Sequence, residues 1–551
     1  MTGRLDGLTH RDAPWAGLRV VVTGLGISGY AAAEALVRRG AAVRVLDAGT
    51  GAAQQQERAA ALRELGADVR LGPEHVAGWP AGPAGPDPAG PDLAGPDLAG
   101  PDLAGTDLAG TDLAGTDLLV TSPGWRPDHP VLTAAQHHGI PLWGEVELAW
   151  RMRPAHDAAP WLTVTGTNGK TTTVQMLAAM LTAAGRRAVA AGNVGTPLLE
   201  VVLDPQPYDV VAVELSSFQL HYSHSIAPLA SCCLNLAADH LDWHGSMLLY
   251  AAAKARVYAR TKVACVYNVE DPATEQMVTQ ADVQEGCRAI GFTLGVPGPS
   301  MVGLVDDVLA DRAFVAQRAT SAAELATLAD LVPDGAPRGA PGGAPDTAPE
   351  VLPHLLADAL AAAALARAYG VSPAAVRDGL RAFTPDEHRS TGVGELDGVR
   401  FVNDSKATNP HAARAALAAY PSVVWIAGGQ LKGADVEELV REAAPRLRAA
   451  VLLGQDRALI ADALARHAPD VPVHEVDSDE TGDVHAVMDE VIERALGASR
   501  PGDVVLLAPA AASLDMFVDY AARGTAFTQA ARRRTSRTHR GGDAGAPGDA
   551  G

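Results

Sequence analysis

Three features predict an α/β fold divided among three domains. A βαβ unit with a glycine-rich crossover opens the chain, a second strand runs into a glycine loop and helix near residue 165, and β-branched strands recur between residues 399 and 508. A length of 551 residues suits three domains of ordinary size. The expected boundaries are residues 1–153, 154–383 and 384–531, with residues 532–551 as a disordered tail.

In the first domain, residues 18–23 read as a short strand, Gly24-Leu-Gly-Ile-Ser-Gly29 as a turn, residues 30–40 as an Ala-rich helix and residues 42–47 as the second strand. Seven tandem pentads, one Ala-Gly-Pro-Asp-Pro, three Ala-Gly-Pro-Asp-Leu and three Ala-Gly-Thr-Asp-Leu, fill residues 84–118. Seven units are too few coils for a pentapeptide solenoid, and Pro recurs in the early ones, so residues 81–117 are expected to be a surface insertion. The central domain opens with a strand over residues 161–165, a glycine loop and an apolar helix over 172–184. Strands at 210–214 and 231–236 follow, then a Pro/Gly-rich insertion at 333–353 and helices over 354–369 and 373–383. Strands at 399–403, 423–427, 450–454 and 504–508 build the third domain.

Composition excludes several classes. A formal charge of −21 argues against a general binder of nucleic acid or anionic membrane, so any anionic ligand has to be met by local groups. Cys232, Cys233, Cys265 and Cys287 have neither metal-ligand spacing nor the density of a disulfide framework. No secretory leader and no apolar run of membrane-spanning length is read, and a soluble cytoplasmic protein is expected.

Lysine is scarce: five of the 44 basic residues, the rest being arginine. Four of the five, Lys170, Lys254, Lys406 and Lys432, lie in segments that read as chemistry. An amine is a compact charge that can lose its proton and react, which a guanidinium does not do. Thr165-Gly-Thr-Asn-Gly-Lys-Thr-Thr-Thr173, placed between a strand and a helix, has the makings of a phosphate cradle: backbone amides for phosphate oxygens, Lys170 for charge and Thr171 for Mg²⁺. Gly24-x-Gly-x-x-Gly29 with Asp47 after the next strand matches the dinucleotide fingerprint, although the motif alone does not choose between NAD and another diphosphate. Glu214 ends a strand, and Asp239-His-Leu-Asp-Trp-His244 is a polar cluster directly after another. Lys254, inside a helix expected over 246–260, reads from its surroundings alone as a solvated charge.

Together and in this order, these segments resemble the Mur ligases, above all the member that adds D-glutamate to UDP-N-acetylmuramoyl-L-alanine. The resemblance runs from about residue 18 to 527. It implies a Rossmann-like N-terminal domain for uridine diphosphate, a central phosphate-loop ATPase domain and a Rossmann-like C-terminal domain. It also implies a monomeric cytoplasmic enzyme using ATP, with no nucleic-acid partner and no membrane insertion. Gly166, Thr167, Asn168, Gly169, Lys170, Thr171 and Thr172 match the family's ATP loop, and Arg389 and Asp404 its further ATP contacts. Thr171 and Glu214 match ligands of one Mg²⁺ and His240 that of a second, while Lys254 matches a lysine carbamylated by CO₂. Such a carbamate is an anion, able to approach a cation where an ammonium is not. Ile27, Ser28, Asp47 and Asn193 fall at the sugar-nucleotide site. Lys406 and Thr408 fall near the active centre, with Lys170, Lys254, His240 and Lys406 as its catalytic groups. Lys432, Ser513, Leu514 and Phe517 match the D-glutamate pocket.

One stretch departs from the pattern. The family has Gly-x-His-Asn-x-x-Asn-Ala before its central helix, and Pro353-His354-Leu355-Leu356-Ala357-Asp358-Ala359 stands here, with Leu355 and Asp358 in place of both asparagines. Three other readings stay open on the sequence: a Mur-type ligase for a different amino acid, a nicotinamide-dependent dehydrogenase fused to a nucleotide-binding module, and a degenerate non-catalytic binder.

Overall fold

The computed structural model describes residues 3–50, 52–76, 113, 115–331, 351–384, 388–477 and 483–541. Most of the pentads, residues 333–350 of the second insertion and residues 542–551 of the tail lie outside the described residues. The strands form three sheets, one for each expected α/β segment. The chain groups into two compact units, Met1–Leu162 with Arg187–Pro228, and Thr163–Arg186 with Leu229–Gly551.

The first unit is built on a parallel sheet of order β3-β2-β1-β4-β5, where β1 is Arg19–Thr23, β2 Ala42–Asp47, β3 Asp68–Leu71, β4 Leu118–Thr121 and β5 Leu142–Gly144. Residues 115–117, counted above with the insertion, are stitched to the sheet. Asp117 accepts from the Arg19 amide at 2.8 Å and its own amide donates to the Arg19 carbonyl. The first helix is Ile27–Val37 and thus starts inside the glycine motif, three residues earlier than expected. Gly24 turns the chain with φ 87°, and Gly29 lies in the helix's first turn so close to it that a Cβ would sit 1.8 Å from the Gly24 carbonyl oxygen. The third glycine therefore serves strand–helix packing. The strand β6, Trp161–Thr165, carries the chain into the second unit. The first unit regains it as the parallel pair β7 (Ala188–Gly192) and β8 (Val210–Glu214). The buried carboxyl of Glu145 accepts from the Leu199 amide at 2.9 Å and ties this returning segment to the unit.

In the second unit the strands around the phosphate loop run in the order β14-β13-β12-β11-β10-β9-β6. Here β9 is Ala230–Cys233, β10 Ala264–Asn268, β11 Arg288–Phe292, β12 Met301–Val305, β13 Val308–Asp311 and β14 Ala323–Thr327. The last three pair antiparallel and were not legible as strands. The third sheet has the order β15-β16-β20-β17-β18-β19, from Thr391–Leu396, Val399–Asn403, Val504–Leu507, Val423–Ala427, Leu447–Leu452 and Val473–Glu475. Its central strand β17 is buried throughout, as a parallel strand covered on both faces must be. Trp425 packs into the core on one face and Val424 and Ile426 into that on the other.

The tail differs from expectation. The last helix is Tyr520–Gly541, so residues 532–541 are helical. Arg533 and Arg534 pair with Asp489 and Glu493 of the Val484–Ala498 helix, which gives the basic cluster acidic partners along a second helix. Among the described residues no helix is long and apolar enough to cross a membrane.

Candidate functional site

The phosphate loop leaves the fully buried strand β6 and turns at Gly166 (φ 154°) and Gly169 (φ 84°), after which the helix Lys170–Ala183 begins at Lys170, two residues earlier than expected. Two positive-φ glycines let the loop fold back on itself before the helix opens. Asn235, just past β9, holds the loop open: its Oδ1 accepts from the Thr167 and Asn168 amides at 3.0 and 2.9 Å, and its amide donates to the Asn168 carbonyl at 3.2 Å. Thr167 is fixed by Tyr250 through a 3.1 Å hydroxyl contact and by the Ala237 backbone. Thr171 and Thr172 are buried.

Three of the singled-out lysines converge on this loop. Lys170 folds back and donates to the Gly166 and Thr167 carbonyls, both at 2.9 Å. Lys254, read from the sequence as a solvated charge, is instead 2% exposed. It projects from the helix Met247–Ala255, lies over the Tyr250 ring and donates to the Gly166 carbonyl at 2.6 Å. A buried amine with its charge aimed at a loop carbonyl is costly unless the site uses it. Lys406 reaches from the segment after β16 and donates to Thr171 Oγ1 at 3.1 Å. Beside it, Asn409 donates to Asn168 Oδ1 at 3.0 Å, and the Asn168 amide lies 2.9 Å from His411 Nδ1. The third α/β segment therefore touches the phosphate loop directly.

A second layer carries carboxyls and one arginine. Asp358 is buried in the helix Pro353–Tyr369, and its carboxyl fills the space a Gly169 side chain would need, with Oδ1 2.1 Å from an added Cβ. Burial pushes Asp358 up to about 8, against the pull of Arg389, Thr173 and Lys170. Asp404 is pushed up to about 6 by burial, opposed by the Ser390 backbone and Arg389. Arg389 stands near both, and among the described residues its buried Nε has no hydrogen-bond partner. Burial and Arg389 together hold His354 down to about 4, so its ring is neutral at physiological pH. His240 has a left-handed backbone (φ 53°) and sits 3.6 Å from Asp239. Burial lowers its pKa, Asp239 works against that, and Lys432, Lys170 and Lys254 add to it. The neutral imidazole is the form that ligates cations. Lys432 itself has φ 54°. Ser513 is buried, Leu514 is 62% exposed, and Phe517 packs into the core of the third sheet.

The remaining sequence candidates belong to the first unit. Asp47 is occupied by its own turn, accepting from the Leu25 amide at 2.5 Å, the Gly49 amide at 2.7 Å and the Gln55 side chain at 2.6 Å. Ile27 is exposed at the helix start, with Ser28 half-buried beside it. Asn193 donates to Glu214 Oε1 at 2.8 Å, whereas Glu214 Oε2 is buried without a partner. A buried carboxylate with one satisfied and one vacant oxygen suits a cation ligand. Among the described residues no three His, Cys, Asp or Glu side chains group as a metal site, so a hard cation here would draw several ligands from phosphate and water.

Sequence reasoning missed Asn235, Tyr250, Asn409 and His411. Tyr250 was within reach, since it lies four residues before Lys254 and so on the same helix face.

Residues 164–296 match the Mur ligase middle domain and residues 388–511 the Mur ligase glutamate ligase domain. Fold and site thus define a phosphate-loop protein of the Mur ligase class. The "UDP-N-acetylmuramoylalanine--D-glutamate ligase" of Streptomyces coelicolor is 52% identical over 94% of this chain and 98% of its own, and that of Thermobifida fusca 51% identical over 94% and 98%. A likeness of fold joins the chain to the crystal structure of the UDP-N-acetylmuramate-alanine ligase from Thermotoga maritima, with a TM-score of 0.50, 17% identity and coverage of 94% of this chain and 100% of that one. The chain belongs to the Mur ligases, within the family of UDP-N-acetylmuramoylalanine--D-glutamate ligases.

Proposed function

We propose that this chain joins D-glutamate to the L-alanyl carboxyl of UDP-N-acetylmuramoyl-L-alanine at the expense of ATP, a step in peptidoglycan precursor synthesis. The observation that carries the reading is the 52% identity to a D-glutamate ligase across nearly the full length of both chains. The convergence of Lys170, Lys254 and Lys406 on one phosphate loop supports it.

A carboxylate resists attack by an amine, so it has to be activated. A carboxylate oxygen attacks the γ-phosphorus, the bond to the β–γ bridging oxygen breaks, and ADP leaves. The D-glutamate nitrogen then attacks the acyl carbon, sheds a proton, and inorganic phosphate departs with the C–O bonding pair. The loop of residues 166–172 would hold the phosphates. Lys170 would leave the Gly166 and Thr167 carbonyls for the transferring phosphoryl group, and Arg389 and Asp404 would position the nucleotide. Lys406, Lys432 and Ser513 would receive the carboxylates and leaving phosphate, with Leu514 and Phe517 shaping the D-glutamate side. Ile27, Ser28, Asp47 and Asn193 would hold the sugar nucleotide.

Mg²⁺, when bound, supplies charge neutralisation between the phosphates and the acyl oxygen. Thr171 would hold one ion at the phosphate loop and His240 with a Lys254 carbamate the second, with Glu214 of the first unit a further candidate ligand. The chemistry of Lys254 fits this, since a carbamate nitrogen keeps one N–H for the Gly166 carbonyl while its new oxygens carry negative charge. A monomer acting in the cytoplasm, where UDP-sugars and ATP are at hand, completes the proposal.

The test is a coupled assay with UDP-N-acetylmuramoyl-L-alanine, ATP, Mg²⁺ and either enantiomer of glutamate. Phosphate release that requires the D-form is expected, and release independent of it would defeat the assignment.

A further inference from the structure

Asp358 is a buried ionisable group that the mechanism leaves without a task, and it lies against the phosphate loop. Its carboxyl packs on Gly169, the left-handed residue that starts the phosphate-loop helix. Thr173, one turn on, donates to the Gly169 carbonyl at 3.0 Å and hydrogen-bonds the Asp358 carboxyl. The polar and charged groups that act on Asp358 come from three places in the chain. They are Thr173 and Lys170 on the loop helix, Arg389 from the segment before β15, and the Cys232 thiol of β9. Of the two cations, the Lys170 amine is bonded to loop carbonyls, and the Arg389 Nε has no hydrogen-bond partner among the described residues. Asp358 is thus packed behind the loop as a neutral hydrogen-bonding group would be.

We propose that Asp358 is a positioning residue, whose uncharged carboxylic acid backs the Gly169 turn and whose ionisation weakens nucleotide binding. The proposal rests on the phosphate loop being the nucleotide site. The physical reason is direct. A carboxylate buried one residue behind the loop opposes the charge of a triphosphate in front of it, in a region where water screens little. Ionisation also adds a second electron-rich oxygen beside the loop carbonyls. Burial places the change within a measurable range, because it holds the acid form to about pH 8.

Linkage then sets the observable. The acid form binds better, so affinity holds below the titration and falls as pH rises through it. The dissociation constant for MgADP should rise about tenfold between pH 7 and pH 9. Asp358→Asn keeps shape and hydrogen bonding without a titrating proton, and its ratio of dissociation constants at the two pH values should fall to within about twofold of unity. The KM for ATP should follow the same pattern, while kcat changes little between the proteins. Calorimetry of the full chain with MgADP at pH 8.5, in two buffers of different ionisation enthalpy, gives an independent reading: the native protein should take up a fraction of a proton on binding.

Proton uptake lost in Asp358→Asn supports the proposal. An alkaline weakening that persists in Asp358→Asn overturns it, and so does a flat native profile. If Asp358→Asn does not fold, the native chain decides alone, since absence of proton uptake overturns the idea. Failure of MgADP to bind at pH 7 would instead remove the nucleotide-site reading, and this proposal with it.

Discussion

The glycine turn after β1 and the phosphate loop after β6 share a local design: each leaves a buried strand, turns on a positive-φ glycine and opens a helix. They are completed by different chemistry. In the first, an acid closes the turn, and Asp47 spends its oxygens on the Leu25 and Gly49 amides and on Gln55. In the second, amines and amides close it, with Lys170 and Lys254 on the Gly166 carbonyl, Asn235 beneath the loop and Lys406 on Thr171. Backbone shape provides the hollow in both. The side chains around it give one hollow an acid already bonded to its own turn and the other a set of amines.

Lys170→Ala tests that contrast most severely. It should lower kcat by ~10³ or more with the circular dichroism spectrum unchanged, because the lost charge matters most in the transition state. Lys254→Ala should cost about 10²-fold in kcat and recover in part with added short carboxylates, a rescue read in the same assay. A fully active Lys254→Ala would leave the buried amine with a structural task only.

The first turn should respond in stability more than in turnover. Gly29→Ala places a methyl against the Gly24 carbonyl and should destabilise the first unit by about 1–3 kcal/mol in denaturant titration. Gly169→Ala meets Asp358 and a backbone φ of 84°, so it should show its main loss in nucleotide affinity.

Glu145, also in the first unit, gives an effect that depends on pH. Burial raises its folded carboxyl from 4.5 to about 7, so the fold is favoured at low pH and that advantage is lost as pH rises through 7. Glu145→Gln keeps an acceptor for the Leu199 amide. It should stabilise the protein by about 1–3 kcal/mol at pH 8 and by nothing below pH 4.5, which thermal melts at both values would reveal.

The two turns also show where sequence patterns inform and where they stop. Strands β2, β6, β8, β16 and β17 were legible to the residue, because a short β-branched run between glycine or polar turns leaves few alternatives. Both helix starts were placed late. Ile27 and Lys170 were counted with their turns, since glycines and polar residues mask the first helical turn. The antiparallel strands β12 to β15 escaped notice because Gly303, Glu324, Gly392 and Gly394 interrupt their alternation. At the site, residue types named the chemistry of Lys170, Thr171 and Lys406. Burial of Lys254 and support by Asn235 and Asn409 depend on contacts between distant segments, which no local pattern encodes. The tail misled for a similar reason, as its arginines read as solvated until Asp489 and Glu493 were found across from them.

The Lys406 contact has a consequence for how this protein would be measured. The Lys406 ammonium donates to the Thr171 hydroxyl, and Asn409 and His411 hold the Asn168 side chain next door. An incoming molecule that wants those same atoms competes with an intramolecular tenant, so every apparent affinity is discounted by the share of chains in which the tenant has stepped aside. Truncating Lys406 would therefore have two opposed effects, easier occupancy and poorer turnover, and a single-concentration assay would confound them.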